Sequence, residues 1–133
     1  MIFPYTAREQ RLRAYIGTLA TVRLYAKKVR LSTKSAAAHL VEAPASIGYL
    51  PIKLAMAAWR FEPSGTSVRA VTNDVAWRFT AGGATIHGHY ALDRAGLLLW
   101  VEALEEPFEV LRANDEFQLL TLAIEDVALE DHA

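Results

Sequence analysis

The chain contains no cysteine, so neither disulfides nor thiolate metal sites can contribute, and a small secreted disulfide scaffold is excluded. Intracellular assembly is the simplest reading. Long hydrophobic runs are missing as well. Lys53 and Glu102 interrupt the most apolar stretches well short of a membrane span, and Met1-Ile2-Phe3-Pro4-Tyr5 lacks the basic start and apolar core of an export signal. A soluble product is expected. No Gly-x-Ser-x-Gly elbow occurs, and Ser32, Ser35, Ser46, Ser64 and Ser67 all fall in predicted loops or turns, which leaves a hydrolase reading little support. Ala81-Gly82-Gly83 lacks the lysine and the helix start of a phosphate loop and reads as a hairpin turn. Glu105-Glu106 and Glu109 flank a proline and read as a solvated bend rather than as paired catalytic carboxylates. The expectation is a protein that is not an enzyme and carries no cofactor.

What is present is charge sorted by position. Residues 1–34 hold eight Lys and Arg against one acid, and residues 102–133 hold ten Asp and Glu against one base, so the net charge of −1 hides a dipole. Opposite ends of that kind suit a protein that meets partners, or copies of itself, through different surfaces. At 133 residues the chain fits one domain, and such a domain buries roughly two-thirds of the surface its unfolded chain exposes. With hydrophobic residues at 53% and charged residues at 22%, the composition is globular and slightly rich in apolar residues. Burial in an oligomer interface is one outlet for that surplus.

Thr6-Ala7-Arg8-Glu9 reads as a capping box that starts a helix, and Leu12, Tyr15, Ile16 and Leu19 recur at helical spacing on one stripe. Gly17 is the expected end. From Thr21 the period changes to two, with Val22, Leu24 and Ala26 alternating with Arg23, Tyr25 and Lys27, the pattern of a strand with one buried face. Residues 35–45 read as a loop with local helix, and residues 49–54 and 57–61 as extended, with Pro51 at a strand start, edge or bulge. Glu62-Pro63-Ser64-Gly65 reads as a turn.

The second half reads as a meander. Residues 68–71 and 74–80 are expected strands, and residues 85–91 and 97–104 flank Asp93-Arg94-Ala95-Gly96. Asp at the first position of that turn and Gly at the fourth match a type I turn with a bulge, so the two strands form an antiparallel hairpin. A short strand at 107–111, a turn at Asn114-Asp115 and a last strand at 117–124 precede an acidic tail. The fold class expected is all-β, an antiparallel β-sandwich or jelly-roll-like barrel with a short N-terminal helix. Its division is residues 1–20 as arm and helix, 21–127 as a single β domain, and 128–133 as tail. No second or third helix long enough for an alternating α/β fold is visible.

His87-Gly88-His89 places two imidazoles two residues apart, on one face of a strand, where both could reach one metal. Two ligands are not a site, and the plainer reading is a polar strand face with Gly88 permitting close packing, so no metal is expected. Arg8, Arg11, Arg13, Tyr15, Lys27, Lys28 and Arg30 are the candidate partner-binding residues. With Arg23, Lys34 and Tyr25 they could form a basic patch for nucleic acid, but the acidic C-terminal third argues against direct nucleic-acid binding. Lysines near a sheet edge also discourage unwanted strand pairing, so this density has a structural reading too.

The stretch from Ala84-Thr85-Ile86-His87-Gly88-His89-Tyr90 through Leu92-Asp93-Arg94-Ala95-Gly96-Leu97-Leu98-Leu99-Trp100-Val101-Glu102, followed by Pro107, resembles the hairpin of small virion proteins encoded in the head gene clusters of tailed bacteriophages. In those proteins a Gly-Tyr-Tyr-Val-Thr-Asp strand turns through a Gly into Leu-Leu-Trp-Ala-Glu. Leu40-Val41-Glu42-Ala43 to Gly48-Tyr49 is similar to a second landmark, an acidic residue ahead of a Gly-Tyr strand start. The N-terminal helix, a Val-Arg-Leu-Tyr strand and a last strand after an Asn-Asp turn also correspond. The departures are His87 and His89 around the hairpin glycine and the acidic tail. The resemblance implies a capsid decoration or cement protein, a trimer bound to the major capsid protein in the virion and assembled in the host cytoplasm. A neck or tail adaptor is the alternative within the particle, and a β-barrel nucleic-acid module the alternative outside it.

Overall fold

The computed structural model describes residues 5–29, 39–65, 67–72, 75–119 and 123–125. These residues are mostly strand, arranged in antiparallel sheets, with one short helix at the amino-terminal side. They fall into two compact units, one of residues 1–18, 54–75 and 118–133, the other of residues 19–53 and 76–117.

In the first unit, helix α1 (Tyr5–Gly17) packs on strand β3 (Ser67–Thr72). Leu12 and Ile16, one turn apart, are buried, and Tyr15 beside them is half-buried, as the apolar stripe requires. The helix begins before Thr6, which therefore stands inside it and not at its cap. Leu19, assigned to the stripe from its spacing, belongs instead to the first strand. The end at Gly17 is as expected, and Thr18 closes the last turn by donating its N–H (3.1 Å) and its hydroxyl (2.7 Å) to the Tyr15 carbonyl.

β2 (Trp59–Ser64), β3 and β8 (Ala123–Glu125) form a three-stranded sheet in the order β2-β3-β8. The predicted turn at residues 62–65 is displaced. Glu62, Pro63 and Ser64 remain in β2, in register with Arg69, Val68 and Ser67, and the reversal comes at Gly65, whose φ of 63° suits a residue without Cβ. Pro63 is tolerated because, among the described strands, β2 is at the edge of its sheet, where a missing N–H need not break a ladder. Glu62 and Arg69 face each other across the pair, and Arg69 Nε donates to Glu62 Oε1 at 2.6 Å. Arg69, with Arg60 in support, holds the Glu62 carboxyl below its ordinary range.

In the second unit, β1 (Leu19–Tyr25), β5 (Ala84–Asp93) and β6 (Leu98–Val110) form a sheet in the order β1-β5-β6. β4 (Val75–Arg78), which lies in this unit from Ala76 on, pairs with β7 (Glu116–Leu119), which lies in it as far as Phe117. The predicted hairpin is present. Asp93 Oδ1 accepts the N–H of Ala95 and of Leu97, both at 2.9 Å, the Gly96 N–H donates to the Asp93 carbonyl, and Gly96 takes φ 85°. The strands expected at 97–104 and 107–111 are one strand, β6. Its register jumps from Ala103↔Gly88 to Phe108↔Ile86, so residues 104–107 form a bulge, and Pro107 sits where no ladder bond is required of it.

The extended reading of residues 49–54 reduces to one antiparallel bridge, in which Ile52 and Val22 exchange N–H···O bonds of 2.8 and 3.0 Å. Residues 56–58 are a turn of 3₁₀ helix. The strand expected at 117–124 is present as β7 and β8, with residues 120–122 outside the described residues. The local helix predicted for 35–45 lies mostly outside them, as does the acidic tail beyond Glu125. No helix of the described residues is long and apolar enough to cross a membrane.

Candidate functional site

The second unit contains a polar cluster built by β1 and the segment that returns beside it. Tyr25 is bridged to Glu42, the Ala43 N–H donates to the Leu24 carbonyl at 2.9 Å, and this brings the Glu42 side chain to β1. Arg23 Nη1 donates to Glu42 Oε1 at 2.9 Å and Arg23 Nε to Thr21 Oγ1 at 2.9 Å. The Tyr49 hydroxyl donates to Glu42 Oε2 at 2.8 Å and accepts the buried Leu24 N–H at 3.2 Å. Tyr49 is positioned by the turn before it. Gly48 has φ 78° and lies so close to Thr80 that a Cβ would overlap that side chain.

Burial, reinforced by Glu42, pushes the Tyr49 phenol far above its ordinary range and keeps it a donor. Tyr90 on β5, in register with Arg23, is raised mainly by burial, with Glu42 adding and Arg23 opposing. The cluster is neutralised from within, one guanidinium against one carboxylate, and its phenols stay protonated. Chemically it is a fastener that joins β1, the 42–49 segment and the hairpin.

On the same sheet, His89 is in register with Glu102 and lies beside Trp100 of β6. Trp100 Nε1 donates to His89 Nδ1 at 3.3 Å, so the ring proton sits on Nε2, which faces Glu102 Oε2 at 3.5 Å. The imidazole is almost fully buried, while the carboxylate it faces is 70% exposed. Burial lowers the His89 pKa and Glu102 partly restores it. Gly88, the preceding residue, allows the sheet to close here. A Cβ at this position would run into the Glu102 carbonyl and the Tyr25 ring, and the Tyr25 hydroxyl donates to that same carbonyl at 3.3 Å. Glu102, after burial itself, raises the Tyr25 phenol.

The two histidines of His87-Gly88-His89 therefore differ. His89 is spent on Trp100 and Glu102, whereas His87 is half-buried and lines a surface groove of about 730 Å³ with Ala26, Pro44, Thr85 and Glu109. The register break between Ile86 and Gly88 separates their surroundings. Among the described residues no group of three or more His, Cys, Asp or Glu is placed to hold a metal ion.

The candidate partner-binding residues are divided between the units. Arg8, Arg11, Arg13 and Tyr15 lie on α1, and Lys27 and Lys28 are exposed just past β1; Arg30 lies outside the described residues. On α1 the basic side chains have work within the unit. Arg13 pairs with Glu9 at 3.5 Å and stacks 3.9 Å over the Phe61 ring, and Arg8, Arg11 and Tyr15 each have interaction partners. Burial raises the Tyr15 phenol. Periodicity marks none of the Arg23–Glu42–Tyr49 contacts. Their one trace in the sequence is the Glu42 to Gly48-Tyr49 landmark. No protein-family model, curated protein or solved structure matches the chain.

Proposed function

We propose that the chain is a structural protein of a tailed-phage virion, a capsid decoration (cement) protein that self-associates as a trimer and binds the major capsid lattice through protein–protein contacts. One observation carries the reading. The sequence landmarks of the resemblance meet in space, with Glu42 and Tyr49 from one, Tyr90 from the hairpin, and Arg23 from the Val-Arg-Leu-Tyr strand forming a single cluster. Residues that carry the likeness are thus those that fasten three distant segments, as a shared fold would require of them. A sandwich of the β1-β5-β6 and β4-β7 sheets is the architecture proposed for this unit, with Phe108 of β6 5.4 Å from Phe117 of β7 between their ring centroids.

Such a protein acts by mass action, stabilising the lattice state to which it binds and resisting expansion forces without bond-making chemistry. Exposed Lys27 and Lys28, and the exposed acids of β6, supply surfaces of opposite sign for that contact. The test is fractionation of purified particles. The chain should sediment with the capsid in low salt and be released progressively as salt is raised, because exposed charge pairs are screened. Recovery only among free proteins of the lysate would overturn the proposal.

A further inference from the structure

Strand β5 is covered on both sides over only part of its length. β1 runs beside it from Asp93 to Gly88 and ends there, at Tyr25. Past Tyr25 no described residue pairs with β5 on that side, and the Ala26 N–H donates at 2.8 Å to the Val41 carbonyl, on the edge of β1 away from β5. Residues 84–87 keep β6 on one side, with Ala84, Thr85 and Ile86 opposite Val110, Glu109 and Phe108. On the other side, among the described residues, they have no strand. The place β1 leaves is the groove of about 730 Å³, bordered by Ala26 and Pro44 from the β1 side and by Thr85, His87 and Glu109 from the β5–β6 side.

We propose that this groove accepts an extended strand of a partner protein, paired to residues 84–87 of β5 and carrying a lysine or arginine directed at Glu109. Unpaired backbone donors and acceptors along a strand are a template for one more strand, and main-chain bonds supply the affinity in such additions. Four residues of β5 span about 13 Å, which sets the length of the occupant. The small residues Ala26, Gly83 and Ala84 leave room for a backbone to approach.

The sign follows from Glu109, exposed on β6 beside the exposed Glu105 and Glu106. It lies two strands from the occupant, about 10 Å, within the combined reach of a lysine and a glutamate. The β1 side of the groove is lined by the apolar Ala26 and Pro44, so the pairing with Glu109 on the other side is what fixes the register of the cationic residue. A second copy inserting its own β6 would set Glu105, Glu106 and Glu109 against Glu109, and like charges across strands are unfavourable. The inference concerns the groove alone and stands whether or not the protein belongs to a virion.

The probe is a capped peptide of alternating threonine and valine with one central lysine, compared with the same peptide carrying glutamate, and the readout is amide hydrogen exchange. The lysine peptide should slow exchange within residues 84–87 by about tenfold and leave residues 90–92, already paired on both sides, unchanged. Glu109→Lys should weaken the lysine peptide about fivefold and favour the glutamate one, with Glu109→Gln in between. No protection of residues 84–87 at millimolar peptide, or equal binding of both peptides to wild type and Glu109→Lys, would overturn the proposal. Protection of these amides that rises with protein concentration in the absence of peptide would assign the groove to a second copy and would equally overturn it.

Discussion

The two parts of β5 belong to one strand and one sheet, yet they are built to different ends. Residues 88–93 run between β1 and β6, and Gly88, His89, Tyr90 and Ala91 are all buried. Residues 84–87 have β6 on one side and a groove on the other, and Ile86 alone is buried among them. The difference begins where β1 leaves, after Tyr25. Its lesson is that the part of the strand that fixes the fold and the part open to a partner are separated by one glycine. Substitutions on the two sides should therefore have unequal effects.

The largest effect is expected at the junction. Gly88→Val puts a branched side chain against the Glu102 carbonyl and the Tyr25 ring. Tyr25 is 1% exposed and bonded to that same carbonyl, so neither neighbour has space to yield. A loss of about 3 kcal/mol in denaturant unfolding is expected. A loss below about 1 kcal/mol would show that the sheet is looser here than its geometry implies.

Tyr49→Phe should follow at about 1–3 kcal/mol, because it leaves the buried Leu24 N–H without an acceptor and Glu42 without one donor. The Glu42→Ala, Tyr49→Phe double variant should then be less than additive, since both remove the same bond.

Next comes the pH dependence carried by His89. Burial lowers its folded pKa below the ordinary histidine value, so the unfolded chain binds more protons in the window beneath that value. Stability contributed by neutral His89 is complete above about pH 6.5 and is lost as pH falls through the folded pKa. Protonated Nδ1 could no longer accept from Trp100, so tryptophan fluorescence should change in the same range. His89→Gln should flatten the acid limb, and an unchanged limb would place the titration elsewhere.

The smallest effect is expected on the open side. Glu109→Lys, at an exposed position of β6, should alter stability by no more than about 0.5 kcal/mol. A large loss would mean that Glu109 holds the fold itself, and would erase the contrast between the two parts of the strand.

What the sequence made legible was local. Asp93 and Gly96 define their turn within four residues, since the carboxylate caps nearby N–H groups and the glycine supplies the positive φ. The Leu12 and Ile16 stripe was equally readable, because its period of burial equals the period of the helix. The one buried face expected from Thr21 is not kept: Thr21 and Tyr25 are buried along with Val22 and Leu24, so β1 is covered on both faces, and Ala26 lies past its end. Pro63 misled because a proline reads as a turn unless the strand is known to be an edge, and edges are set by the whole sheet. Residues 104–107 misled in the opposite direction, as two expected strands proved to be one strand with a bulge.

The Arg23–Glu42–Tyr49 cluster joins positions 19 and 7 residues apart through side chains, and no periodicity records such contacts. The groove beside β5 was invisible for a related reason. It arises where the pairing of β1 with β5 ends at Tyr25, and nothing within residues 84–87 records where a neighbouring strand stops.

The central claim, that this chain is a lattice-wide structural component, is tested most directly by its copy number in purified particles, measured against the major capsid protein with isotope-labelled reference peptides. The account predicts a number that scales with the capsid lattice. A copy number fitting a single neck or tail ring, or absence from the particle, would contradict it.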